Sequence, residues 1–220
     1  MKRILFSILC LLIGSTTMAQ NDLSIAEEKL CAIHSEDQTL RERMSEAINQ
    51  WDVEKIISYQ QQINDSDLRH QAFVATFISQ YRIIPEGLSK MAYSAIFLTI
   101  DHADLKFQKR YFKSLQEAAQ RGLIPQSDVA TLQDRILMYS GKPQIYGTQT
   151  KASNIKEGED KITYVWPIKD PHNVDSLRAT VGLCTMQEQS EAHRKYGFTV
   201  IWDTSLSIAE VKRLTAAKAN

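Results

Sequence analysis

The stretch KMAYSAIFLTI, residues 90–100, is apolar on nearly every side when wound into a helix. A helix without a polar stripe cannot face water and has to be walled in by others. The rest of the chain must supply amphipathic helices, and it does. Leu23, Ala26, Leu30, Ile33, Leu40, Met44, Ala47 and Trp51 recur at steps of three and four, the apolar stripe of a long helix. Asp52 can cap a second helix with Val53, Ile56, Ile57 and Ile63 inward, and the polar NDSD at 64–67 is expected to interrupt it. A third helix is predicted from about Leu68 to Tyr81, and Ser89 caps the central apolar one.

Beyond DHAD, residues 101–104, Asp101 or Asp104 can cap a helix lined by Leu105, Tyr111, Phe112, Leu115 and Ala119 and ended by Gly122. Ser127 opens one more, carrying Val129, Leu132, Ile136 and Tyr139, with Gly141 just past its end. Then the period changes. QIYGTQTK (144–151) and KITYVWPI (161–168) alternate like strands, and the polar ASNIKEGED between them makes a hairpin. FTVIWD (198–203) reads as a further strand, while Thr185 with Glu188 and Ser207 with Glu210 have the spacing that starts short helices. The class is mainly α (α+β): a helical bundle with a small β-hairpin and strand appendage near the C-terminal third, built as one α-rich domain over 20–220.

The first residues carry a different message. Lys2 and Arg3 precede the apolar Ile4–Gly14, and Thr17-Met18-Ala19 is a small-x-small cleavage signal, so a signal peptide over 1–19 is expected, cut after Ala19. The apolar run falls short of the ~20 residues a spanning helix needs, and no later segment reaches them. Leu9-Cys10 resembles a lipidation junction, but the apolar run continues past it through Leu11, Leu12 and Ile13. The expected location is periplasmic or secreted. Losing Lys2 and Arg3 leaves 24 of the 26 basic residues against 26 acidic ones, which gives no footprint for nucleic acid. Cys31 and Cys184 remain, either paired or as two free thiols.

Few residues are shaped for chemistry. His102 lies between Asp101 and Asp104 at the end of the apolar helix, the ingredients of a general base steadied by a carboxylate. The plain alternative is a capping Asp beside a satisfied histidine. Asp37 falls on the apolar stripe of the first helix, and a carboxylate there needs a partner, for which Arg41 is one turn away. Asp134 and Arg135 sit mid-helix as clamp or catalyst. The loop GKPQIYGTQ, 141–149, is unusual in its amides and hydroxyls: Gln144, Tyr146, Thr148 and Gln149 suit a neutral polar ligand, or else tie the hairpin to the helices. No nucleophile motif, phosphate-cradling glycine loop or HExxH occurs. The order Asp101-His102, without a second such pair, does not reproduce the His-Asp pairing of helical metal phosphohydrolases. Neither metal nor cofactor is expected.

DHADLKFQ, LQDRILMYSGKPQIYGTQ, DPHNVDSLRATVGL and YGFTVIWD, with DQTLR upstream at 37–41, resemble in order and spacing a bacterial family of unknown function, the one numbered 6624. The resemblance covers about residues 35–205, and its signal-bearing members are of the Bacteroidota type. It implies no activity. It does imply that Asp37, Gln38 and Arg41, then His102, Asp104 and Gln108, then Asp134 and Arg135 belong to a shared pattern. The same holds for Gln144, Tyr146, Gly147, Thr148 and Gln149, and for Asp170 and Arg178. Two departures stand out: Asp67 is followed by His70 where the family has Asn, and Ile83-Ile84-Pro85 replaces Gly-Trp-Pro.

These motifs come from separate segments and are rich in Gln, Asp, Arg and His, so one polar cleft is the simplest account of them. The expected catalytic residues are His102 as base or ligand donor, Asp134 as its orienter or acid, and Arg135. The expected substrate-binding residues are Gln108, Gln144, Tyr146, Thr148, Gln149, Asp37 and Arg41. Hydrolysis of an envelope or extracellular polar compound is the leading reading, and non-catalytic binding of a peptide, glycan or partner protein the other.

Overall fold

The apolar stretch at 90–100 becomes the central helix of the N-terminal half. The computed structural model describes residues 2–153, 161–195 and 197–216, and for 2–21 and 161 the backbone alone. Two compact units divide the chain, residues 1–102 and 103–220. The first consists of three helices, α1 (Lys2–Asn49), α2 (Val53–Tyr81) and α3 (Lys90–Asp101), each packed on the other two. Leu30, Val74, Ile84, Ile96 and Ile100 lose all contact with water there. Each such side chain stabilises the fold by roughly 1.5–3 kcal/mol.

Caps behave as their chemistry requires. The Asp52 side chain accepts from the Lys55 N–H at the start of α2, and Ser89 from the Ala92 N–H at the start of α3. The expected break at NDSD does not occur, because α2 is one helix through 64–67. Its polar side chains find partners without unwinding it. Ser66 Oγ donates to the Ile63 carbonyl, Asn64 accepts from Gln60, and Asp67 reaches across to Arg41 on α1. A tertiary ion pair has overridden a weak local preference.

In the second unit α4 (Leu105–Gln120), capped by Asp104, packs on α5 (Gln126–Tyr139). Three strands follow as a small sheet: β1 (Thr150–Ala152) antiparallel to β2 (Lys161–Val165), and β3 (Phe198–Ile201) parallel to β2. The expected hairpin and third strand are present, but the hairpin's polar connection from 154 to 160 lies outside the described residues. Between the strands run α6 (Val174–Thr180), which periodicity did not reveal, and α7 (Met186–Lys195). Last comes α8 (Ile208–Thr215), opened by the Ser207–Glu210 capping box. Val165, Val174 and Met186 form a core under the sheet, with Ile168 and Val200 against it.

One further expectation fails. Residues 144–149 are not strand: β1 begins at Thr150, and only Gln144 makes an isolated bridge, to Ile168. Among the described residues the chain is mainly helical with a small three-stranded sheet. No described helix is long and apolar enough to cross a membrane. Cys31 and Cys184 are free thiols, one half-buried in the first unit and one exposed in the second.

Candidate functional site

Asp37 is on the buried stripe of α1 because three donors meet it there. Its Oδ1 accepts from Arg41 Nε at 2.9 Å and pairs with His102 Nδ1 at 3.1 Å, while Oδ2 accepts from Gln38 Nε2 at 2.7 Å. The geometry follows from helix spacing. Arg41 is one turn along α1, and His102 caps the C-terminus of α3, which crosses the same face. Arg41 then extends Nη2 to both oxygens of Asp67 on α2, at 2.9 and 3.1 Å. A carboxylate only accepts, so the Asp37 contact puts the ring proton of neutral His102 on Nδ1 and the lone pair on Nε2. That second nitrogen has no hydrogen bond to any described residue, and the ring is 17% exposed.

The carboxyl of Asp37 is held well below the usual carboxylate range. Burial alone would push it up, but the hydrogen bond and charge of His102, followed by those of Arg41, outweigh burial. Since the folded value lies below the unfolded one of about 3.9, this group contributes stability above that pH and loses it as pH falls through the folded value. Asp37→Asn should therefore cost about 1.5–3 kcal/mol near neutrality, the range for hydrogen bonds to a charged group. Urea unfolding at a series of pH values should show that difference shrinking steadily below pH ~4. A gap independent of pH would contradict the assignment.

Beside this group, His70 is buried with Nε2 3.0 Å from Glu36 Oε2, and Arg69 pairs with the other Glu36 oxygen at 2.7 Å. Asp37, Asp67 and His70 each bring one possible ligand atom within 4.8 Å of the others. The donor set is poorly suited to a metal, because Arg41 already sits on both carboxylates and its charge opposes a second cation. Glu36 and Asp67 are participants that sequence reading did not assign. The available signal was Asp67-Arg69-His70 on one turn of α2, opposite Glu36-Asp37 on a neighbouring helix.

The other candidates lie in the second unit, and nearly all of them hold one loop. Asp134, wholly buried on α5, uses both oxygens on the backbone of 145–148. Oδ1 accepts from the N–H groups of Ile145 (2.7 Å) and Tyr146 (3.2 Å). Oδ2 accepts from those of Tyr146 (3.0 Å) and Thr148 (3.1 Å), and from Thr148 Oγ1 at 3.0 Å. Burial pushes its carboxyl up, against the pull of these donors. Asp37 therefore fills the place beside His102 that the sequence reading gave to Asp134.

Gln144 acts similarly: Oε1 accepts from the Gln149 N–H at 2.8 Å, and Nε2 donates to the carbonyls of Gln149 and Trp166. Gln149 Nε2 donates to the Thr131 carbonyl and to Thr148 Oγ1. Arg178, fully buried, donates to the Tyr146 carbonyl at 2.7 Å and to Gln189 Oε1 at 2.8 Å, and Gln189 in turn donates to the Gly147 carbonyl. Gly147 has φ +70°, and a Cβ there would come within 2.6 Å of Met186 Sδ. The amides and hydroxyls of GKPQIYGTQ thus replace the ladder that a strand would have provided, which is why this stretch is a loop. Gln108 is buried with Nε2 on the Ala103 carbonyl, and Arg135 is half-buried next to Asp134.

Residues 24–200 match a family described as "Family of unknown function (DUF6624)". No curated protein and no solved structure matches the chain.

Proposed function

The chain belongs to this family of unknown function, DUF6624, and on the geometry of its N-terminal unit we propose that it is a hydrolytic protein whose general base is His102. The observation that carries the reading is the contact of Asp37 Oδ1 with Nδ1, which leaves Nε2 open. A lone pair in that position can take a proton from a water or a substrate hydroxyl within ~2.6–3.2 Å. As the ring becomes charged, Asp37 stabilises it. Arg41 and Gln38 keep Asp37 in place, so they are positioning residues. A polar extracellular or envelope compound as substrate accords with the signal peptide and the periplasmic or secreted location expected from residues 1–19.

The open nitrogen can be tested before any substrate is known. Carbethoxylation of the native protein, followed by peptide mass spectrometry, should label His102 early. His70, buried with Nε2 on Glu36, should react only on unfolding. Protection of His102 in the folded protein would remove the basis of the proposal.

A further inference from the structure

The second unit spends the amides of Gln144 and Gln149 on backbone, but a separate group of glutamines is left over. Between α4 and α5 lies a cleft of about 140 Å³ lined by Gln116, Gln120, Gln126, Gln133 and Tyr146 over an apolar floor that includes Val129. Gln144 and Gln149 are buried, with their side-chain NH₂ groups on backbone carbonyls. By contrast, the side chains of Gln116, Gln120 and Gln133 and the Tyr146 hydroxyl make no hydrogen bond to any described residue, and Gln126 makes only a long one, 3.5 Å, to the Ala119 carbonyl. Gln116, Gln133 and Tyr146 are half-buried, so their unused hydrogen-bonding groups face the cleft and remain available to a ligand.

We infer that this cleft is a binding subsite for an uncharged amide-bearing group of a small ligand. No charged side chain lines it, so nothing there offsets the desolvation of an ion. Each glutamine offers both a donor and an acceptor, the complement of an amide's carbonyl and N–H. Burial, and then the charge of Asp134, push the Tyr146 hydroxyl up, so it keeps its proton and can donate. The volume admits a few heavy atoms, at ~30 Å³ for each water-sized group. An acetamido group or one peptide unit fits. Clamping of the backbone at 145–148 by Asp134 and Arg178 fixes where Tyr146 starts, so the subsite is preorganised. The inference does not depend on His102, whose unit is the other one.

Two-dimensional NMR of the whole chain can decide it, with N-acetylglucosamine and N-acetylalanine methylamide as probes and glucose and acetate as their matched controls. At least one N-acetyl probe should shift the side-chain NH₂ signals of Gln116 and Gln133, and neither control should. Which probe does so tells a glycan source of the amide from a peptide source. Gln133→Leu should weaken binding about tenfold, two hydrogen bonds' worth, with the backbone spectrum otherwise retained, and Gln116→Leu provides the same check. Silence from both N-acetyl probes, or equal shifts from glucose or acetate, would overturn the subsite.

Discussion

Asp134→Ala is expected to destabilise the C-terminal unit by about 3–5 kcal/mol. The carboxylate is the acceptor for the N–H groups of Ile145, Tyr146 and Thr148 and for the Thr148 hydroxyl, and it has no water contact. Removing it orphans four partly buried donors at roughly 1–3 kcal/mol each, and water entering the vacated space returns much of that. The unfavourable desolvation of the charge itself is also relieved, which places the net cost toward the low end. At this chain length the midpoint should fall by about 2–4 °C per kcal/mol. Asp134→Asn should be nearly as harmful, because one oxygen becomes a donor facing the N–H of Thr148 or Ile145. Thermal unfolding followed by circular dichroism measures both. A change under ~2 °C would mean that the loop does not depend on this anchor.

His102→Ala should leave the fold nearly intact and remove ~10²–10⁴-fold of the hydrolytic rate proposed above, the usual share of a general base. Asp37 keeps Arg41 and Gln38 after the ring is gone, so the stability loss is one hydrogen bond, about 1 kcal/mol. That separates catalysis from folding. Asp37→Asn should reduce the rate less. Its amide oxygen can still accept from Arg41 and Nδ1 and so keep the tautomer, but it has no charge with which to stabilise the protonated ring. An Asp37→Asn protein slower than His102→Ala would point to a different base.

What could be read from the chain was mostly local. The central helix, the caps at Ser89 and Asp104 and the capping box at Ser207 are decided by residues a few positions apart, and all are present. Where the reading failed, a distant partner decided the matter. NDSD remains helical because Asp67 meets Arg41, 26 positions away. The segment 144–149 is a loop because Asp134, on another element, takes the N–H groups that a neighbouring strand would have taken. The seven residues of α6 are too few for a period to show. For the site, the Asp37–Arg41 pair was legible as a misplaced carboxylate one turn from a cation. Its extension to His102 needed the crossing of α1 by α3, which no spacing reveals.

The central claim is that His102, held by Asp37, is a working base. It is tested most directly by comparing hydrolysis rates of the wild-type chain and His102→Ala on activated ester, phosphoester, amide and glycoside substrates. The account predicts turnover of at least one class by the wild type, lost by ~10²–10⁴-fold in a variant that melts within a few degrees of it. Turnover that survives His102→Ala, or none in any of the four classes, would contradict it.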